Sequence, residues 1–496
     1  MQESTVSAML DASGIEPECR ALAGRLIQGV LTICERVREF QSQPATPERT
    51  QEFELSVEQS VRQVGLDTME CALNGFEPTL EDMPSRLSIC GQIYHRRPGQ
   101  HPNTIGTLFG QIQLLRHSYD PREPGERFIH PLEIRLGIEA GLATPALAER
   151  VGWYTTDHSE GTVLELLRRD HSVKLSKDSL RKLTASLSDG MSSHRHEAQV
   201  RKVLEMLKQA ANSRGRGSPV LGVGRDGVNV PMRGGVYKEG GVGTISVFDR
   251  RGKRLGTVYL ACMPESGQGT LTDQLTRLIR DVLSRWEGAL PRLAYITDEG
   301  YHQHQYYRRV LRRMENPRRP GTYLHWERVV DYFHACQYIS TLQEVLYGST
   351  KAGRRWGHRM RQLLKNTANG IVNVLKSAAA LRHRLKLNKK QQKQYHNAYR
   401  YLCNRRQWMQ YHTYRRQGVP IGSGVTEAAC KTIFTQRMRR SGMSWGLEGG
   451  QVVLNLRIVL LSGLWRQVHT AYLASKVMPQ TVTNTLSDLD ILQNAA

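Results

Sequence analysis

The chain has 496 residues, and its 69 Lys and Arg outnumber its 46 Asp and Glu to give a formal net charge of +23. This length exceeds what one hydrophobic core usually serves and predicts about three domains. No apolar run approaches the ~20 residues that cross a bilayer, so the composition argues against a membrane protein. The positive charge predicts a polyanionic partner, above all nucleic acid.

The first fourteen residues lack the basic start and apolar middle of a secretory signal, so we expect a cytoplasmic protein. The eight cysteines form no C-x-x-C pair and are typical of reduced thiols. Cys71 and Cys90, with His95 nearby, leave open a remnant metal knuckle. Two thiols and one imidazole do not complete a tetrahedral zinc site.

Residues 1–103 are predicted to form a helical N-terminal arm. Apolar residues recur at helical spacing between Leu22 and Val37, and the stretch 41–49 interrupts them with two prolines. Three roles stay open for this arm: pairing of protomers, contact with DNA, or packing on the rest of the protein.

Residues 104–212 are predicted to form a DNA-binding region. Thr107–Tyr119 has the pattern of strands, Thr144-Pro145 begins a helix, and a further helix is predicted around 195–212. Two short helices, one over 161–169 and one starting after Ser176, resemble a helix-turn-helix, with plain helical packing as the alternative. In the helix-turn-helix interpretation the DNA-facing residues are Lys174, Lys177, Arg181 and Lys182.

Residues 218–300 change to β-branched runs that predict three antiparallel strands, a helix and a fourth strand. This order is the opening of a ribonuclease-H-like fold. The predicted fold class is therefore α+β: a ribonuclease-H-like core interrupted by a helical insertion and preceded by a mainly helical DNA-binding region. The predicted elements are Val220–Val230, Gly243–Phe248, Leu255–Cys262, the helix Thr270–Trp286 and the strand Arg292–Thr297.

Residues 301–415 are predicted to be a helical, strongly basic insertion. Basic stripes with interleaved aromatics suit tracking of a strand and stacking on unpaired bases, whereas a solvated helix face is the alternative. Final core helices are expected over 416–470 and a tail over 471–496. The interleaved aromatics are Trp356, Tyr395, Tyr399, Tyr401 and Trp408.

Three acids suit metal-dependent phosphoryl transfer. Asp226 and Asp298 end the first and fourth predicted strands, which are neighbours in that fold, and Glu427 lies one turn into a helix that Ser423 is expected to cap. Two-metal catalysis needs carboxylates that converge on ions ~4 Å apart, and oxygen ligands favour Mg²⁺ or Mn²⁺. An aspartate at a strand end more often caps a turn, so the hypothesis depends on the third acid.

Several blocks of the chain resemble a known family. Gly422–Lys431, Arg437–Trp445 and Leu454–Arg457 look like the C-terminal signature of Kra-type bacterial insertion-sequence transposases, which are DDE enzymes related to the Mutator-like group. Arg225–Pro231 and Asp331–Ala335 are similar to two further blocks of that family. The resemblance covers roughly residues 104–466; the cysteine pairs that relatives often carry near the N-terminus are missing.

The resemblance implies that Asp226, Asp298 and Glu427 are the catalytic metal ligands. It also implies double-stranded DNA with terminal inverted repeats as substrate, a target DNA, and location at the bacterial nucleoid. Since two ends are cut together, a homodimer or higher synaptic complex is expected. Asp331 and His334 are second-tier residues, which either support the site, contact DNA, or form a helix cap with a buried polar pair.

Further residues lie downstream of Glu427. Arg437, Arg439 and Arg440 are expected about three turns later on the same helical segment, where they would hold DNA phosphates. Trp445 is interpreted as a core residue rather than a platform for a flipped base.

Two alternatives stay open. His302-Gln303-His304 with Tyr306 and Tyr307 invites comparison with HUH nucleases, although the middle residue there should be bulky and apolar. A catalytically inactive, domesticated DNA-binding protein is the second alternative. The chain has no G-x-x-x-x-G-K-[ST] motif, so ATP-driven action is unsupported.

Overall fold

The fold is mixed α+β, with helices at the N-terminus, a five-stranded mixed sheet with interspersed helices, and a helical C-terminal region. The structure is a computed structural model and describes Gly14 and residues 17–89, 92–122 and 127–476. Cys90 and most of the predicted C-terminal tail lie outside the described residues. The described residues divide into two compact units, one up to Gly190 and again from His469, the other Met191–Val468.

Two long helices open the first unit, as predicted. Helices α1, Pro17–Gln41, and α2, Pro47–Asn74, pack against each other. The Thr46 hydroxyl accepts a hydrogen bond from the Arg49 amide at 3.3 Å and caps α2. Proline at the first position of α2 lacks only an amide hydrogen that the helix does not use.

Short antiparallel strands follow, and the first three begin inside the segment predicted to be a helical arm. Strands β1, β2 and β5 form one sheet, and β3 and β4 form a hairpin. Burial alternates residue by residue along β4, so one face points to a core. The strands are β1 Arg86–Ile89, β2 Gln92–Arg96, β3 His101–Thr107, β4 Gly110–Arg116 and β5 Tyr119–Pro121.

Four helices follow in the chain, and the last of them continues from the first unit into the second. The predicted separation of a helix after Ser176 from another at 195–212 is wrong, because one helix of 35 residues spans both. The Tyr472 ring packs directly on Gly190, where no Cβ would fit, so this glycine is a packing site rather than a break. The helices are α3 Pro131–Leu136, α4 Pro145–Asp157, α5 Glu160–His171 and α6 Lys177–Ala211.

The second unit is built on a five-stranded sheet in the order β10-β9-β6-β7-β8. Strands β6, β7 and β8 run antiparallel, while β9 lies parallel to β6 and β10 parallel to β9. The four predicted strands and the predicted helix are all present. The elements are β6 Val220–Met232, β7 Val236–Phe248, β8 Arg254–Cys262, α7 Gly269–Arg285, β9 Arg292–Thr297 and, after α8 Tyr301–Arg309, β10 Trp326–Val330.

Strand β10 was not predicted, since it lies inside the segment 301–415 that was assigned to a helical insertion. Its Trp-Glu-Arg-Val-Val sequence places two charges in a short run, which argues against a buried strand. Both charges are paired in the structure: Glu327 with Arg292 at 3.0 Å and Arg328 with Glu299. Pairing that only the tertiary fold supplies makes the buried strand possible.

The five aromatic side chains singled out in the basic insertion are buried or half-buried in the core of the helices after β10. Trp356 and Tyr395 are only 9 % and 4 % exposed, and Tyr399, Tyr401 and Trp408 pack against the same core. Trp356 and Tyr395 are therefore too buried for the predicted stacking on bases, whereas Tyr399, Tyr401 and Trp408 are half-buried, and most basic residues of these helices face solvent. The helices are α9 Tyr332–Tyr347, α10 Lys351–Asn366, α11 Gly370–His383, α12 Lys389–Arg405 and α13 Tyr411–Arg416.

The last elements return to the sheet. A π-helical turn, Cys430–Thr435, lies between α14, Gly424–Ala429, and α15, Gln436–Met438. Helices α16, Leu447–Leu461, and α17, Trp465–Ser475, follow. Of the described helices none alone has the length and apolar character to cross a membrane; α16 and α17, bent by 118° at their junction, meet that test only as a pair.

Candidate active site

The sheet places three aspartates at one level. The last paired residues of β6 and β9 are Val223 and Tyr295, and Asp226 and Asp298 each lie three residues further on. Strand β10 ends at Val330 opposite Thr297, so its following residue, Asp331, stands level with Asp298. Because β6, β9 and β10 are parallel, their side chains meet at the same edge of the sheet.

A close approach of helix to strand brings Glu427 to this edge. Helix α14 packs across β6 and β7, and the Thr426 hydroxyl lies 2.8 Å from that of Thr244. A Cβ at Gly224 would overlap the Thr426 hydroxyl, so the absence of a side chain there lets α14 lie directly on the strand. Glu427 is the next residue along α14 and is exposed at the rim of the site.

Asp226 is partly buried and has two hydrogen-bond partners. Its Oδ1 accepts from the Gly227 amide at 2.8 Å, and the Cys430 thiol donates to Oδ2 at 3.5 Å. The pKa of Asp226 is raised to about 6, chiefly by burial and also by the charges of Asp298 and Glu427, against the hydrogen bonds from Gly227 and Cys430, which lower it. Burial, followed by the same three acids, raises the pKa of the Cys430 thiol far above its ordinary range, so Cys430 is a neutral donor.

Asp298 lies in a turn that begins directly after β9. Its Oδ1 accepts from the Gly300 amide at 3.2 Å, which is the turn-capping role that such an aspartate often has. The following residue, Glu299, has a φ of +66° in the left-handed region. The second carboxylate oxygen of Asp298, Oδ2, accepts no hydrogen bond from a described residue.

Asp331 connects the start of α9 to Ser423, the residue just before α14. It is fully buried, caps α9 by accepting from the His334 amide at 2.6 Å, and accepts from the Ser423 amide. The Ser423 hydroxyl lies 2.9 Å from Asp331 Oδ2 and 3.1 Å from Glu427 Oε1. Ser423 therefore does not cap α14 as expected; its side chain links Asp331 to Glu427 instead.

These contacts separate the roles left open for Asp331 and His334. Asp331 has no exposed surface for DNA and serves as a helix cap that also holds the turn before α14. The His334 ring packs edge-on against Tyr338 and Tyr401, with centroids 5.3 and 5.6 Å away. Both residues support the site from behind rather than lining it.

The three carboxylates lack a protein cation. Asp226, Asp298 and Glu427 take part in none of the ion pairs formed within the described part of the chain, although the chain carries a net charge of +23. A set of oxygen donors without a paired Lys or Arg has the chemistry that a hard divalent cation requires.

The carboxylates of Asp226, Asp298 and Glu427 are nevertheless too widely spaced in the described structure to share one metal ion. Among the residues that the structure describes, no group of three or more His, Cys, Asp or Glu side chains is arranged to hold a metal ion. The three acids are near enough for the other two charges to raise the pKa of Asp226, but they do not converge on one point. Donor type thus fits a divalent cation, and the spacing requires the side chains to move closer.

The four basic residues expected to face DNA lie around the α5–α6 turn, and all are exposed. Arg181 is engaged by acids, with Glu160 at 2.8 Å and Asp178 at 3.2 Å. Its charge is therefore partly neutralised. The other three, Lys174, Lys177 and Lys182, form no ion pair within the described residues.

The downstream arginines divide into one buried and two exposed residues. Arg437 is 2 % exposed and lies 5.0 Å from the Trp445 ring centroid, so its expected contact with DNA phosphates is wrong in this structure. Arg439 and Arg440 are exposed. The Trp445 indole donates to the Met438 carbonyl at 2.9 Å and packs on the neighbouring core, as its interpretation as a core residue expected.

The geometry does not favour the HUH interpretation. His302 and His304 lie on helix α8, where residues two apart point about 200° from each other and cannot face one ion together. Tyr306 is 3 % exposed with its hydroxyl 3.2 Å from that of Thr276, so it is no accessible nucleophile.

Several residues around the site escaped the sequence reasoning. Arg225 is 2 % exposed, faces the opposite side of β6 from Asp226, and donates to Gln268 and Thr272. Phe333 is 63 % exposed and touches Gly422, next to Ser423. The buried pair Arg328–Glu299 lies beside Asp298. Only strand alternation could have placed Arg225; nothing in the sequence marks the other contacts.

Comparison with known proteins adds no name to this site. No protein-family model matches the chain, and no curated protein sequence matches it significantly.

Proposed function

We propose that this protein is a DDE transposase of a bacterial insertion sequence that cuts DNA at the element ends and joins them to target DNA. The observation that carries the proposal is the set of three carboxylates, Asp226, Asp298 and Glu427, gathered at one sheet edge without a cationic partner in the described residues. In so basic a chain, acids left unpaired near one another are typical of a site for an external cation.

The sheet supports the same proposal. Its first three strands run antiparallel, and the fourth and fifth lie parallel to the first on its other side. This is the arrangement of the ribonuclease-H-like fold, in which DDE carboxylates occupy the first strand, the fourth strand and a later helix. Asp226, Asp298 and Glu427 have that distribution on β6, β9 and α14.

Asp226, Asp298 and Glu427 would hold Mg²⁺ or Mn²⁺. A bound divalent ion supplies Lewis acidity that activates an attacking oxygen and stabilises a leaving one. The chain itself orients the carboxylates: Gly227 and Cys430 hold Asp226, Gly300 holds Asp298, and Ser423 holds Glu427. Asp331 anchors Ser423 from the buried side.

The distribution of charge supports DNA as the partner. Exposed basic residues cover the helices between β9 and α14 and the α5–α6 turn. So many like charges on one chain destabilise it unless a polyanion neutralises them. Duplex DNA with terminal repeats, target DNA and a synaptic dimer or larger assembly remain parts of the proposal.

A second candidate is a catalytically inactive DNA-binding protein. The open spacing of the three carboxylates in the described structure favours it, since they do not yet form a metal site. The two candidates share the DNA surface and differ only in whether the carboxylates bind metal and cut.

The deciding experiment is cleavage of labelled DNA that carries the element's own ends, with Mg²⁺ or Mn²⁺, by wild type and Glu427→Gln. Metal-dependent nicking that disappears in the variant, with DNA affinity unchanged, supports the transposase. Tight DNA binding by the wild type with no cleavage of paired ends favours the inactive candidate. Cleavage retained by Glu427→Gln removes Glu427 from the site.

A further inference from the structure

The turn that carries Asp298 is held in a conformation it would not adopt alone. Glu299 has a φ of +66°, although it is not glycine. A left-handed conformation is unfavourable for a residue with a side chain, so it persists only where the surroundings hold it. The surroundings of residues 298–300 therefore determine where the Asp298 carboxylate points.

The Glu299 side chain is held by a buried arginine. Arg328 of β10 makes a two-pronged ion pair with Glu299, with Nε 2.7 Å from Oε1 and Nη2 against Oε2. Both side chains are at most 5 % exposed. The guanidinium lies 3.5 Å from the Trp408 ring centroid and 4.5 Å from that of Tyr307, which fixes its plane.

The backbone of the same turn is held by helix α12. The Tyr401 hydroxyl donates to the Asp298 carbonyl at 2.8 Å, and Arg405 donates to the Glu299 carbonyl at 3.3 Å. Tyr401 is itself fixed, because its ring stacks on Tyr338 at 3.8 Å. The bond from Tyr401 reaches the main chain of the metal-ligand candidate itself.

The outer side of α12 is basic. Lys389, Lys390, Lys393 and Arg400 are exposed on the helix whose inner side carries Tyr401 and Arg405. DNA phosphates bound on that outer side would act on the Asp298 turn through this one helix. An open carboxylate set that needs to draw together is the arrangement on which such a link would act.

We propose that α12 is a clamp on the Asp298 turn, with Tyr401 and Arg405 as positioning residues that set the metal affinity of the site and couple it to DNA bound by the basic insertion. The clamp rests on the proposed transposase function. It assigns the insertion a role in the chemistry, in addition to any affinity it gives for DNA.

The test measures Mn²⁺ binding by the full-length protein through the electron paramagnetic resonance signal of free Mn²⁺, without and with duplex DNA. Tyr401→Phe removes one hydroxyl and keeps the ring. Tyr338→Phe is the matched control, because the Tyr338 hydroxyl makes no hydrogen bond to a described residue while its ring forms the other half of the stack with Tyr401. Arg405→Gln is a second variant on the same helix.

Tyr401→Phe is expected to weaken Mn²⁺ binding about 2- to 10-fold, the range that loss of one hydrogen bond produces. DNA affinity measured without Mn²⁺ stays at the wild-type value, DNA strengthens Mn²⁺ binding less than in the wild type, and Tyr338→Phe behaves as wild type. If Tyr401→Phe and Arg405→Gln both bind Mn²⁺ as tightly as the wild type does, the clamp is overturned.

Asp298→Asn separates this failure from failure of the proposed function. If Asp298→Asn loses Mn²⁺ while the clamp variants do not, only the clamp is wrong. If Asp298→Asn binds Mn²⁺ as the wild type does, or the wild type binds none with DNA present, the metal site and the clamp are both overturned.

Discussion

Two regions of the molecule hold acidic side chains in opposite ways. In the first unit, Glu133 pairs with Arg116 at 2.5 Å, and Glu139 pairs with Lys476 and accepts from Tyr472 at 2.6 Å. At the sheet edge of the second unit, Asp226, Asp298 and Glu427 have no cationic partner among the described residues. Since buried acids are normally paired, the exceptional region is the candidate for chemistry.

The contrast is sharpest between two neighbours in the chain. Glu299 has an exposed fraction of 4 % and a complete ion pair with Arg328, whereas Asp298, one residue earlier, has hydrogen bonds but no cation. The same turn thus contains one acid that serves the structure and one that is left available. What separates Asp298 from Glu299 is the lack of a cationic partner among the described residues.

The largest effect is expected when a paired acid loses its partner. Arg116→Met leaves Glu133 buried with only its hydrogen bond from Asn103, so we expect a loss of about 3–5 kcal/mol in unfolding free energy. Urea unfolding followed by circular dichroism measures it. Adding Glu133→Gln should recover much of the loss, and a single variant as stable as wild type would contradict the pairing argument.

Replacing an unpaired acid is expected to raise the unfolding free energy rather than lower it. The pKa of Asp226 is about 6 in the folded chain against 3.8 for an ordinary Asp, so folding weakens as pH rises through that interval. Asp226→Asn should therefore add about 1–3 kcal/mol of stability at pH 7.5 without metal, and nothing below pH 3.8.

Thermal unfolding at pH 7.5 and pH 3.5 measures this difference. Adding Mn²⁺ should raise the melting temperature of the wild type and not that of Asp226→Asn. A variant less stable than wild type at pH 7.5 would mean that Asp226 is a structural acid like Glu133.

A smaller effect is expected for the serine that joins the two kinds of acid. Ser423→Ala removes the hydroxyl between buried Asp331 and exposed Glu427, and loss of one such hydrogen bond corresponds to about 2- to 10-fold in cleavage rate. Single-turnover cleavage of end-bearing DNA measures the rate. Ser284→Ala, which affects a hydroxyl bonded to the Asp281 carbonyl, should be unchanged.

The smallest effects are expected on the basic surface of the first unit. Lys177→Ala and Lys182→Ala should each weaken DNA binding about 3- to 10-fold and lower the salt dependence by about one phosphate contact. Arg181→Ala should matter less, because Glu160 and Asp178 already neutralise Arg181. Fluorescence anisotropy at several salt concentrations measures all three, and equal losses would show that ion pairing leaves Arg181 free for DNA.

Local patterns were enough for the elements and for two of the acids. Short β-branched runs predict β6, β8 and β9, and they place Asp298 directly after β9, where the structure has it. Asp226 was expected at the end of its strand and instead lies in the middle of β6, which continues to Met232. Such features depend on neighbours in the chain, so the chain encodes them directly.

These patterns could not predict which side chains are buried and which are exposed. Arg437 and Trp356 lie in basic or aromatic runs that looked exposed, yet both are buried. Strand β10 was missed because the partners that neutralise Glu327 and Arg328, Arg292 and Glu299, lie about thirty residues away. A helical period defines a face but not which face meets the core.

By itself, then, the amino-acid sequence determined four strands of the sheet, the helix α7 between them and the positions of Asp226 and Asp298 along those strands, because these follow from periodicity and turn chemistry over a few residues. Only the tertiary structure decided that Asp331 reaches Glu427 through Ser423 and that Tyr401 holds the Asp298 turn. Those contacts join residues roughly 90 and 100 positions apart, and packing of distant elements alone brings them within hydrogen-bond distance.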